Sequence, residues 1–366
     1  MSRPMTAPCN QRPLPVRNEL IGRTPYGAPQ IDVDVRMNTN ESPHAPSPAV
    51  VEDIRAAVAE IVGDLNRYPD REAVTLRSLL ADYLQATTSV PLSSDHIWAA
   101  NGSNEILLQT MQAFAGPGRS ALGFEPTYSM HRSVTEATGA AYHTVARRED
   151  FGIDAATALA AVEYHRPDVV FICNPNNPTG TYTDLDTIEA IYDATAGIVI
   201  IDEAYIEFCT HPSAARLLTG RPRLLVIRTI SKAFGLAGVR VGYLAANPEV
   251  VAALRLVRLP YHLSSLTQAV AVAALSRRVE LLSTVPEVVT QRERIVDGLS
   301  AMGLQVYPSD ANFVLFSVPG DAAALWQRLV DRQVLIRDVG IPGHLRVTAG
   351  TAEETAAFLE TIRTSL

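Results

Sequence analysis

Short apolar runs alternate with amphipathic helical stretches through the middle of the chain. The runs have the length of strands, and they predict strands over residues 97–100, 120–124, 141–145, 169–173, 198–201, 224–228 and 240–245. Helical patterns fill most of the gaps, for example 105–114 and 184–196. Strands that alternate with helices predict a mainly parallel sheet covered on both faces. The link over 229–239 is short for a crossover helix, so the last strand is expected to run antiparallel.

The pattern changes on both sides of this region. Two amphipathic helices are predicted before it, over 49–62 and 73–86. From about Pro260 a long helical region covers 266–302, and Pro286 is expected to break it. Strands over 312–318 and 345–347 and helices over 322–331 and 353–362 then predict a smaller α+β unit. The expected organisation is an extended N-terminal arm (1–27), a large domain (28–259) and a small domain (260–366), to which the N-terminal segment contributes.

Composition narrows the class of protein. The chain has 366 residues, of which 47% are apolar and 19% charged, and this is typical of a well-packed globular protein of two domains. A net charge of −8 disfavours a nucleic-acid-binding or membrane-surface protein. No apolar run approaches the roughly 20 residues of a membrane span, and no signal peptide is visible. We therefore expect a soluble cytoplasmic protein without nucleic-acid or membrane partners.

The three cysteines indicate neither a disulfide framework nor a zinc site. They are Cys9, Cys173 and Cys209, an odd number without a CxxC spacing. The eight histidines are scattered and none stands in ligand spacing with a pair of carboxylates, so no metal is predicted. His131 and His262 neighbour candidate site tyrosines and are expected to support them rather than to react.

One residue type is almost absent from the chain. Of 31 basic residues, only Lys232 is a lysine. A GC-rich genome explains most of the arginine content, but it does not explain why one lysine is kept. Arginine replaces lysine in most surface roles, yet its guanidinium stays protonated and cannot form a Schiff base. Lys232 is therefore the first candidate for covalent chemistry.

Four polar clusters follow predicted strands, at the sheet edge where open α/β sheets bind ligands. They are Asn101-Gly102-Ser103-Asn104-Glu105, Asn174-Pro175-Asn176-Asn177-Pro178-Thr179-Gly180, Asp202-Glu203-Ala204-Tyr205 and the run from Ser231-Lys232 to Gly242-Tyr243. The first cluster opens a helix, which suits a phosphate group, although the cluster by itself favours an ordinary helix cap formed by Ser103 or Asn104. The second is a rigid turn whose extra asparagines could reach a ring oxygen. Asp202 ends a very apolar strand and needs a cationic partner, either an arginine or a protonated pyridine nitrogen.

The chain lacks the common motifs of nucleotide-binding proteins and hydrolases. The glycines after Lys232 are spaced G-x-x-G-x-x-x-G, so the dinucleotide fingerprint G-x-G-x-x-G is absent. The chain also lacks a Walker lysine, a G-x-S-x-G nucleophile elbow and H-E-x-x-H.

The order of the four clusters resembles the fold-type I pyridoxal-phosphate (PLP) aminotransferases, and more narrowly the histidinol-phosphate aminotransferase family. The resemblance runs from about Pro25 to Leu366. Supporting stretches are Asn38-Thr39-Asn40-Glu41-Ser42-Pro43, Arg67-Tyr68-Pro69-Asp70, Glu125-Pro126-Thr127-Tyr128-Ser129-Met130 and Leu345-Arg346-Val347-Thr348. It implies an α/β fold of the PLP-dependent transferase type I, with a mainly parallel seven-stranded sheet in the large domain and a smaller α+β domain.

The resemblance also implies roles for individual residues. Lys232 would bond covalently to PLP and later move the proton of the substrate Cα, while Asp202 would hold the pyridinium nitrogen protonated. Tyr205 and Asn177 would bind the ring hydroxyl oxygen, and Tyr128 would stack on the ring. The PLP phosphate would be bound by Gly102, Ser103, Asn104, Ser231 and Arg240.

For the substrate and the assembly, the resemblance implies a shared site. Tyr68 would reach the PLP phosphate of a neighbouring subunit, so a homodimer is expected. Arg346 is the family's carboxylate-binding arginine, and Tyr26, Tyr261 and Arg337 would line the end of the site that holds the substrate phosphate. The segment Ser42-Pro43-His44 departs from the family's usual Asn-Pro-Tyr, and the stretch between Arg337 and Arg346 is short.

The expected activity is the transfer of an amino group between L-glutamate and imidazole-acetol phosphate, giving 2-oxoglutarate and L-histidinol phosphate in histidine biosynthesis. An aromatic amino-acid aminotransferase is the alternative with the same catalytic set. A threonine-phosphate decarboxylase is the alternative from another reaction class. A PLP-fold transcription regulator would need a DNA-binding domain ahead of the fold, for which 1–27 is too short.

Overall fold

A computed structural model describes residues 14–17, 21–22 and 27–366 of the chain. Its strands are β1 (Val35–Arg36), β2 (Ile97–Ala100), β3 (Ser120–Glu125), β4 (Ala141–Ala146), β5 (Val169–Cys173), β6 (Ile198–Asp202), β7 (Leu224–Thr229), β8 (Gly242–Ala245), β9 (Phe313–Ser317), β10 (Val334–Leu335), β11 (Arg337–Asp338) and β12 (His344–Thr348). Its helices are α1 (Pro48–Ile61), α2 (Val74–Thr88), α3 (Ser103–Phe114), α4 (Met130–Ala137), α5 (Ala155–His165), α6 (Leu185–Ala194), α7 (Pro248–Val257), α8 (Ser265–Ser276), α9 (Arg278–Leu282), α10 (Val285–Ala301), α11 (Ala322–Asp331) and α12 (Ala352–Arg363).

The predicted seven-stranded sheet is confirmed. Its strand order is β2-β8-β7-β6-β5-β3-β4. Strand β8 pairs antiparallel with both β2 and β7, and the other neighbouring pairs are parallel. Strand β8 is therefore antiparallel to β7, as expected. The connection between them is too short to carry the chain back to the end of the sheet at which a parallel strand would start.

Apolar packing on both faces explains why the central strands contain no polar alternation. In β6, Ile200 packs with α3 and α7 on one face, whereas Val199 and Ile201 pack with α5 and α6 on the other. All three side chains have no exposed surface. A strand that is covered on both faces is stabilised by apolar residues at every position. This packing holds the carboxyl ends of β5, β6 and β7 in fixed register at one edge.

The second unit of sheet lies in the C-terminal part of the chain. Strands β11, β12 and β9 form an antiparallel sheet in that order. Its core contains Phe313, Phe316 and Phe358, and it extends to Met37 and Tyr205. Strand β1 pairs in parallel with β10, so the segment around residue 35 joins this part of the fold. The division into domains at 28–259 and 260–366 stays a prediction.

The long helical region breaks where Pro286 was expected to break it, and at one further place. Residues 265–301 form α8, α9 and α10; α9 ends at Leu282, and Pro286 lies in the first turn of α10. The further break is at Arg277, which leaves helical geometry, whereas Ser283 and Thr284 keep right-handed helical dihedral angles. A proline is accepted in the first turn because the first helical N–H groups have no partner inside the helix. The proline therefore marks the expected break as the start of a new helix.

Strand β8 also starts later than the predicted 240–245. Arg240 adopts a left-handed conformation (φ 59°) at the end of a short 3₁₀ turn, Ala237–Val239, and pairing begins at Gly242.

Residues 31–366 form one compact unit and residues 1–30 another, most of which lies outside the described residues. None of the helices in the described part of the chain is long and apolar enough to cross a membrane.

Candidate active site

The four polar clusters lie at one edge of the seven-stranded sheet. Asn101 follows β2, Asn174 follows β5, Asp202 ends β6, and Ser231 and Lys232 follow β7. Because β8 runs in the opposite direction, its first residue, Gly242, lies opposite Ala100 and Thr229 at the same edge. The strand register alone therefore brings the clusters together.

Lys232 is partly buried, and its amine is held by the backbone. Its Nζ donates a hydrogen bond to the carbonyl oxygen of Thr39 at 2.9 Å and lies 5.9 Å from the ring centroid of Tyr205. Burial lowers the pKa of the Lys232 amine to about 8, and the positive charges of Arg346 and Arg240 act in the same direction. More of the amine is therefore unprotonated near neutral pH than in an exposed lysine, as suits a nucleophile.

Asp202 is buried, with 2% of its surface exposed. Its Oδ2 lies 3.1 Å from Nε2 of His131, whose ring is fully buried and stacks on Phe171 at 4.7 Å between centroids. The predicted partner was an arginine or a ring nitrogen, and sequence reasoning placed His131 only beside Tyr128. The contact is invisible in the sequence because 71 residues separate the two side chains.

Tyr205 presents its hydroxyl group to two amides. Asn40 Nδ2 donates to the Tyr205 oxygen at 2.9 Å and Asn177 Nδ2 at 3.4 Å. Burial raises the pKa of the Tyr205 phenol, so the hydroxyl stays neutral and can itself donate a hydrogen bond. Asn40 was not among the candidate site residues. The signal in the sequence is its place in the stretch Asn38-Thr39-Asn40-Glu41-Ser42-Pro43, one of those that carry the family resemblance.

Arg346 is 7% exposed and is held by two acceptors. Its Nη1 donates to Oδ1 of Asn177 at 2.6 Å, and its Nη2 donates to the carbonyl oxygen of Asn38 at 2.8 Å. Arg337 lies directly opposite Arg346 across the β11–β12 pair. Residues that face each other in an antiparallel pair lie on the same side of the sheet. The two arginines therefore provide adjacent cationic groups at the end of this small sheet.

The first turn of α3 forms an anion-binding cradle with Arg240. Gly102 precedes the helix with a φ of 87°, and a Cβ atom there would lie 2.5 Å from Nη2 of Arg240, so the guanidinium group packs on its bare Cα. Gly242 lets β8 approach the backbone of Ser103 in the same way. A helix N-terminus and a guanidinium group are both positive, and an anion such as a phosphate stabilises their contact. The cradle thus fits a phosphate better than the plain helix cap does.

Other predicted residues take the following places. Ser231 is buried and its hydroxyl accepts a hydrogen bond from Thr229 at 2.9 Å, while the Tyr128 hydroxyl donates to Asn104 at 3.1 Å. Tyr68 and Tyr261 stack with ring centroids 4.4 Å apart, and Tyr68 is 79% exposed. Tyr26 lies outside the described residues, so the structure does not place it. His262 lies behind the first cluster, where its carbonyl oxygen accepts a hydrogen bond from Asn101 at 2.7 Å.

The chemistry of these groups fits PLP. An aldehyde needs a nucleophilic amine, a pyridinium nitrogen needs a buried carboxylate, a ring hydroxyl needs neutral partners, and a phosphate needs a cationic cradle. Lys232, Asp202, the pair Tyr205 and Asn177, and the turn after β2 supply these groups in turn. Among the described residues, no three or more histidines, cysteines or carboxylates are grouped as a metal site would require.

Comparison with known proteins agrees with this chemistry. The family model for aminotransferases of class I and II matches residues 32–362. The histidinol-phosphate aminotransferase of Mycolicibacterium vanbaalenii is 53% identical over 351 residues, which are 94% of each chain. That of Mycolicibacterium smegmatis is 56% identical over 348 residues, which are 94% of this chain and 92% of the relative.

A solved structure shows the same fold. The histidinol-phosphate aminotransferase of Sinorhizobium meliloti in complex with pyridoxal-5'-phosphate superimposes with a TM-score of 0.81 at 27% identity, covering 91% of this chain and 92% of that one. Fold type, site chemistry and sequence similarity over nearly the whole chain agree. The chain therefore belongs to the class I and II aminotransferases and, within them, to the histidinol-phosphate aminotransferase family.

Proposed function

We propose that this enzyme transfers an amino group, with PLP as its cofactor, between L-glutamate and imidazole-acetol phosphate, and so acts in histidine biosynthesis. The reverse reaction uses L-histidinol phosphate and 2-oxoglutarate. The observation that carries the proposal is the placement of Lys232, the only lysine, as a partly unprotonated amine beside Tyr205. The substrates follow from relatives of 53–56% identity that are named for histidinol phosphate.

In this proposal, bound PLP supplies an aldehyde for the amino group and a ring that accepts the electrons of the Cα–H bond. Lys232 would hold the cofactor through its Nζ, and its amine would be the group that moves the proton of the substrate Cα. Its low pKa suits both steps, because the free amine is the nucleophile in the first and the base in the second.

In this proposal the buried groups around Lys232 bind the charged and polar groups of the cofactor. Asp202 is the carboxylate that holds the ring nitrogen protonated, and His131 orients this carboxylate through its Nε2 contact of 3.1 Å. Tyr205 and Asn177 bind the ring hydroxyl oxygen. The turn with Gly102, Ser103 and Asn104 binds the phosphate together with Ser231 and Arg240, and Tyr128 covers the ring.

The substrate end of the site is assigned to arginine and tyrosine side chains. Arg346 grips the carboxylate of glutamate, and a guanidinium group is suited to this because it binds a carboxylate through two parallel hydrogen bonds. Arg337, Tyr261 and Tyr26 bind the phosphate of histidinol phosphate. A guanidinium group can bind either a carboxylate or a phosphate through its N–H donors, so the same site serves both half-reactions.

We also infer a homodimer with shared sites. Exposed large apolar side chains come from two segments of the described chain, namely Val62, Leu65, Tyr68 and Val74 from the first and Leu256, Leu259, Tyr261 and Leu266 from the second. The segments are joined by the Tyr68–Tyr261 stack and by an ion pair of 2.7 Å between Glu72 and Arg258. Such a patch is typical of a subunit interface, and it contains the tyrosine that would complete the neighbour's phosphate site.

The compartment and the domain division are proposals of the same kind. We place the enzyme in the cytoplasm, where glutamate is abundant and cysteines stay reduced. The two cysteines of the described chain, Cys173 and Cys209, are unpaired, as that compartment favours.

The division into a large domain (28–259) and a small domain (260–366) would let the two sheets move against each other during turnover.

A panel of amino donors tests the substrate assignment. Values of kcat/KM are measured for histidinol phosphate, histidinol, phenylalanine and glutamate with the wild-type enzyme and with Arg337→Ala. A charge-assisted hydrogen bond contributes about 1.5–3 kcal/mol, so Arg337→Ala should lower kcat/KM for histidinol phosphate roughly ten- to a hundredfold. Phenylalanine, which lacks a phosphate, should be affected much less.

The controls separate the two alternatives. Equal turnover of phenylalanine and histidinol phosphate by the wild type would favour an aromatic amino-acid aminotransferase. Release of carbon dioxide from threonine phosphate without consumption of a 2-oxo acid would favour the decarboxylase. Arg346→Ala should lower kcat/KM for glutamate, because this residue binds the glutamate carboxylate in the proposal.

A further inference from the structure

Asn40 is a buried residue of an irregular segment, and the small sheet holds its backbone. It is 2% exposed and adopts a left-handed conformation (φ 56°), which asparagine accepts more readily than most residues. Its N–H group donates to Oγ1 of Thr348 at 3.1 Å, and its carbonyl oxygen accepts from Nδ2 of Asn312 at 3.2 Å. Thr348 ends β12 and Asn312 directly precedes β9. Two strands of the small sheet therefore fix the position of Asn40.

The hydroxyl group of Thr348 also fixes which end of the Asn40 amide faces Tyr205. Thr348 is 3% exposed, and its Oγ1 already accepts the Asn40 N–H, so its own proton needs a different acceptor. Among the described residues that acceptor is Oδ1 of Asn40, at 2.9 Å. If the amide were turned over, its NH₂ group would face Thr348 and this buried proton would have no partner. Nδ2 of Asn40 is therefore the end that faces the Tyr205 oxygen, at 2.9 Å.

The second amide beside Tyr205 is fixed by Arg346. A guanidinium group only donates hydrogen bonds, so its Nη1 requires the oxygen end of the Asn177 amide, at 2.6 Å. Nδ2 of Asn177 then faces the Tyr205 oxygen at 3.4 Å. The Tyr205 oxygen thus accepts two hydrogen bonds, and neither amide can accept the proton of the phenol. Because burial raises the pKa of this phenol, the proton stays on it and is available to an acceptor bound in the site.

We propose that Thr348 and Asn40 are positioning residues that make Tyr205 a hydrogen-bond donor to the ring oxygen of PLP. The inference rests on the proposed contact of Tyr205 with that oxygen, and it adds the reason why the phenol donates there. With the Asn40 amide turned over, its Oδ1 would accept the proton of the phenol, and the ring oxygen would lose its donor. Hydrogen bonds into the Tyr205 oxygen also polarise the phenol, which strengthens the bond that it donates.

The pH at which the absorbance of the bound cofactor changes tests the proposal in the holoenzyme. The change reports loss of the proton that lies between the cofactor's ring oxygen and the nitrogen joined to Lys232. A donor to the ring oxygen stabilises the negative charge that remains, so Tyr205→Phe should raise the midpoint by about 1–2 pH units. Thr348→Val has a similar shape but no hydroxyl group, and it should raise the midpoint by roughly 0.3–1 pH unit.

Three further variants separate positioning from a structural effect. Thr348→Ser keeps the hydroxyl group, so its midpoint should equal that of the wild type. Thr355→Val removes a buried hydroxyl group of α12 that has no hydrogen-bond partner among the described residues, and it should leave the midpoint unchanged. Thr348→Val introduced into the Tyr205→Phe variant should add no shift, because Thr348 acts only through the phenol.

The outcomes distinguish this inference from the role of Tyr205 on which it rests. A wild-type midpoint in Thr348→Val, or an undiminished shift when it is added to Tyr205→Phe, would overturn the inference alone. A wild-type midpoint in Tyr205→Phe would overturn it together with the proposed contact of Tyr205. The absorbance is read without substrate, so the result does not depend on which amino group the enzyme transfers.

Discussion

Lys232 shows how a residue's surroundings make it reactive. The chain has exchanged lysine for arginine everywhere else, and the fold then places this amine on the carbonyl oxygen of Thr39, close to two guanidinium groups. Burial and these charges oppose protonation, so the amine is a better nucleophile at neutral pH than an exposed lysine. Neither effect can be read from the local sequence Ser231-Lys232-Ala233.

The first prediction concerns the pH dependence of cofactor attachment. The pKa of the Lys232 amine is lowered to about 8. Only the unprotonated amine attacks the aldehyde, so the rate at which the cofactor-free protein takes up PLP should rise with pH and level off above that value. Arg346→Met should move the midpoint to higher pH, since the charge of Arg346 disfavours the protonated amine. The rate is followed by absorbance after rapid mixing.

Two variants serve as controls for this measurement. Lys232→Ala should show no covalent uptake at any pH, and borohydride should trap no cofactor on it. Arg337→Met removes an arginine that does not contribute to the lowered pKa of Lys232, so its midpoint should equal that of the wild type. A wild-type midpoint near the ordinary lysine value of about 10.4 would contradict the prediction.

The second prediction concerns the buried pair of Asp202 and His131. Asp202→Asn should keep the fold but lower kcat by about two to four decades, or ~3–5 kcal/mol, because a neutral amide cannot hold the ring nitrogen protonated. His131→Phe keeps the stacking on Phe171 but removes the Nε2 partner at 3.1 Å. We expect a smaller loss of roughly tenfold from one missing hydrogen bond.

The absorbance of the bound cofactor separates these roles from simple destabilisation. His131→Phe should shift the pH at which the cofactor's absorbance changes, because Nε2 of His131 no longer positions the Asp202 carboxylate. Near-wild-type turnover in Asp202→Asn, or an unchanged pH profile in His131→Phe, would argue against a role for this pair in holding the proton.

At the scale of elements, the start of α3 combines several local conditions. The helix opens after Gly102, whose positive φ of 87° and missing Cβ allow the guanidinium group of Arg240 to pack on the backbone. Arg240 itself ends a short 3₁₀ turn in a left-handed conformation before β8 begins. Two irregular connections, from neighbouring strands of one sheet, thus form the cradle that is proposed to bind the phosphate.

The third prediction tests this cradle with Gly102→Ala. The new Cβ would lie 2.5 Å from Arg240 Nη2 and displace it. Loss of one charge-assisted contact should weaken PLP binding roughly ten- to a hundredfold. Gly118→Ala is the matched control, because Gly118 has a similar φ of 83° but no atom lies within 4 Å of a Cβ built there. Both variants should lose stability from backbone strain, about 1–2 kcal/mol. Equal PLP affinities in the two variants would contradict the cradle.

At the scale of the whole molecule, the apolar patch around Tyr68 and Tyr261 is exposed to solvent in a single chain. Tyr68 is a large aromatic side chain that is 79% exposed, although it stacks on Tyr261. Burial of such a patch against a second copy would stabilise the protein and bring Tyr68 towards the neighbouring site.

The fourth prediction follows from this assembly. Mixing inactive Lys232→Ala with a Tyr68→Phe variant of low activity should restore activity, because each mixed dimer has one site with both native residues. Random exchange makes half of the dimers mixed, so recovery should approach about a quarter of the wild-type activity per chain. Failure to recover after verified subunit exchange would show that each site is built from one chain. Leu256→Asp in the patch should give monomers in size-exclusion chromatography.

The amino-acid sequence determined the central sheet and most of the candidate site. Mostly apolar runs predicted all seven strands, and those of β5 and β6 are apolar nearly throughout because these strands are covered on both faces. The polar clusters at the strand ends then followed from the geometry of a parallel sheet. The break at Pro286 was predicted, because a proline fits the first turn of a new helix, whereas the break at Arg277 has no proline or glycine beside it to mark it.

Only the tertiary structure decided which side chains support the reactive ones. Asn40 contacts Tyr205, Thr39 contacts Lys232 and Asn38 contacts Arg346, across separations of 165, 193 and 308 residues. The segment that carries these residues is held by the pairing of two-residue strands, β1 with β10, which have no periodicity that a sequence could reveal. A hydrogen bond depends on the distance between two groups in the folded chain, and the sequence near either group does not contain that distance.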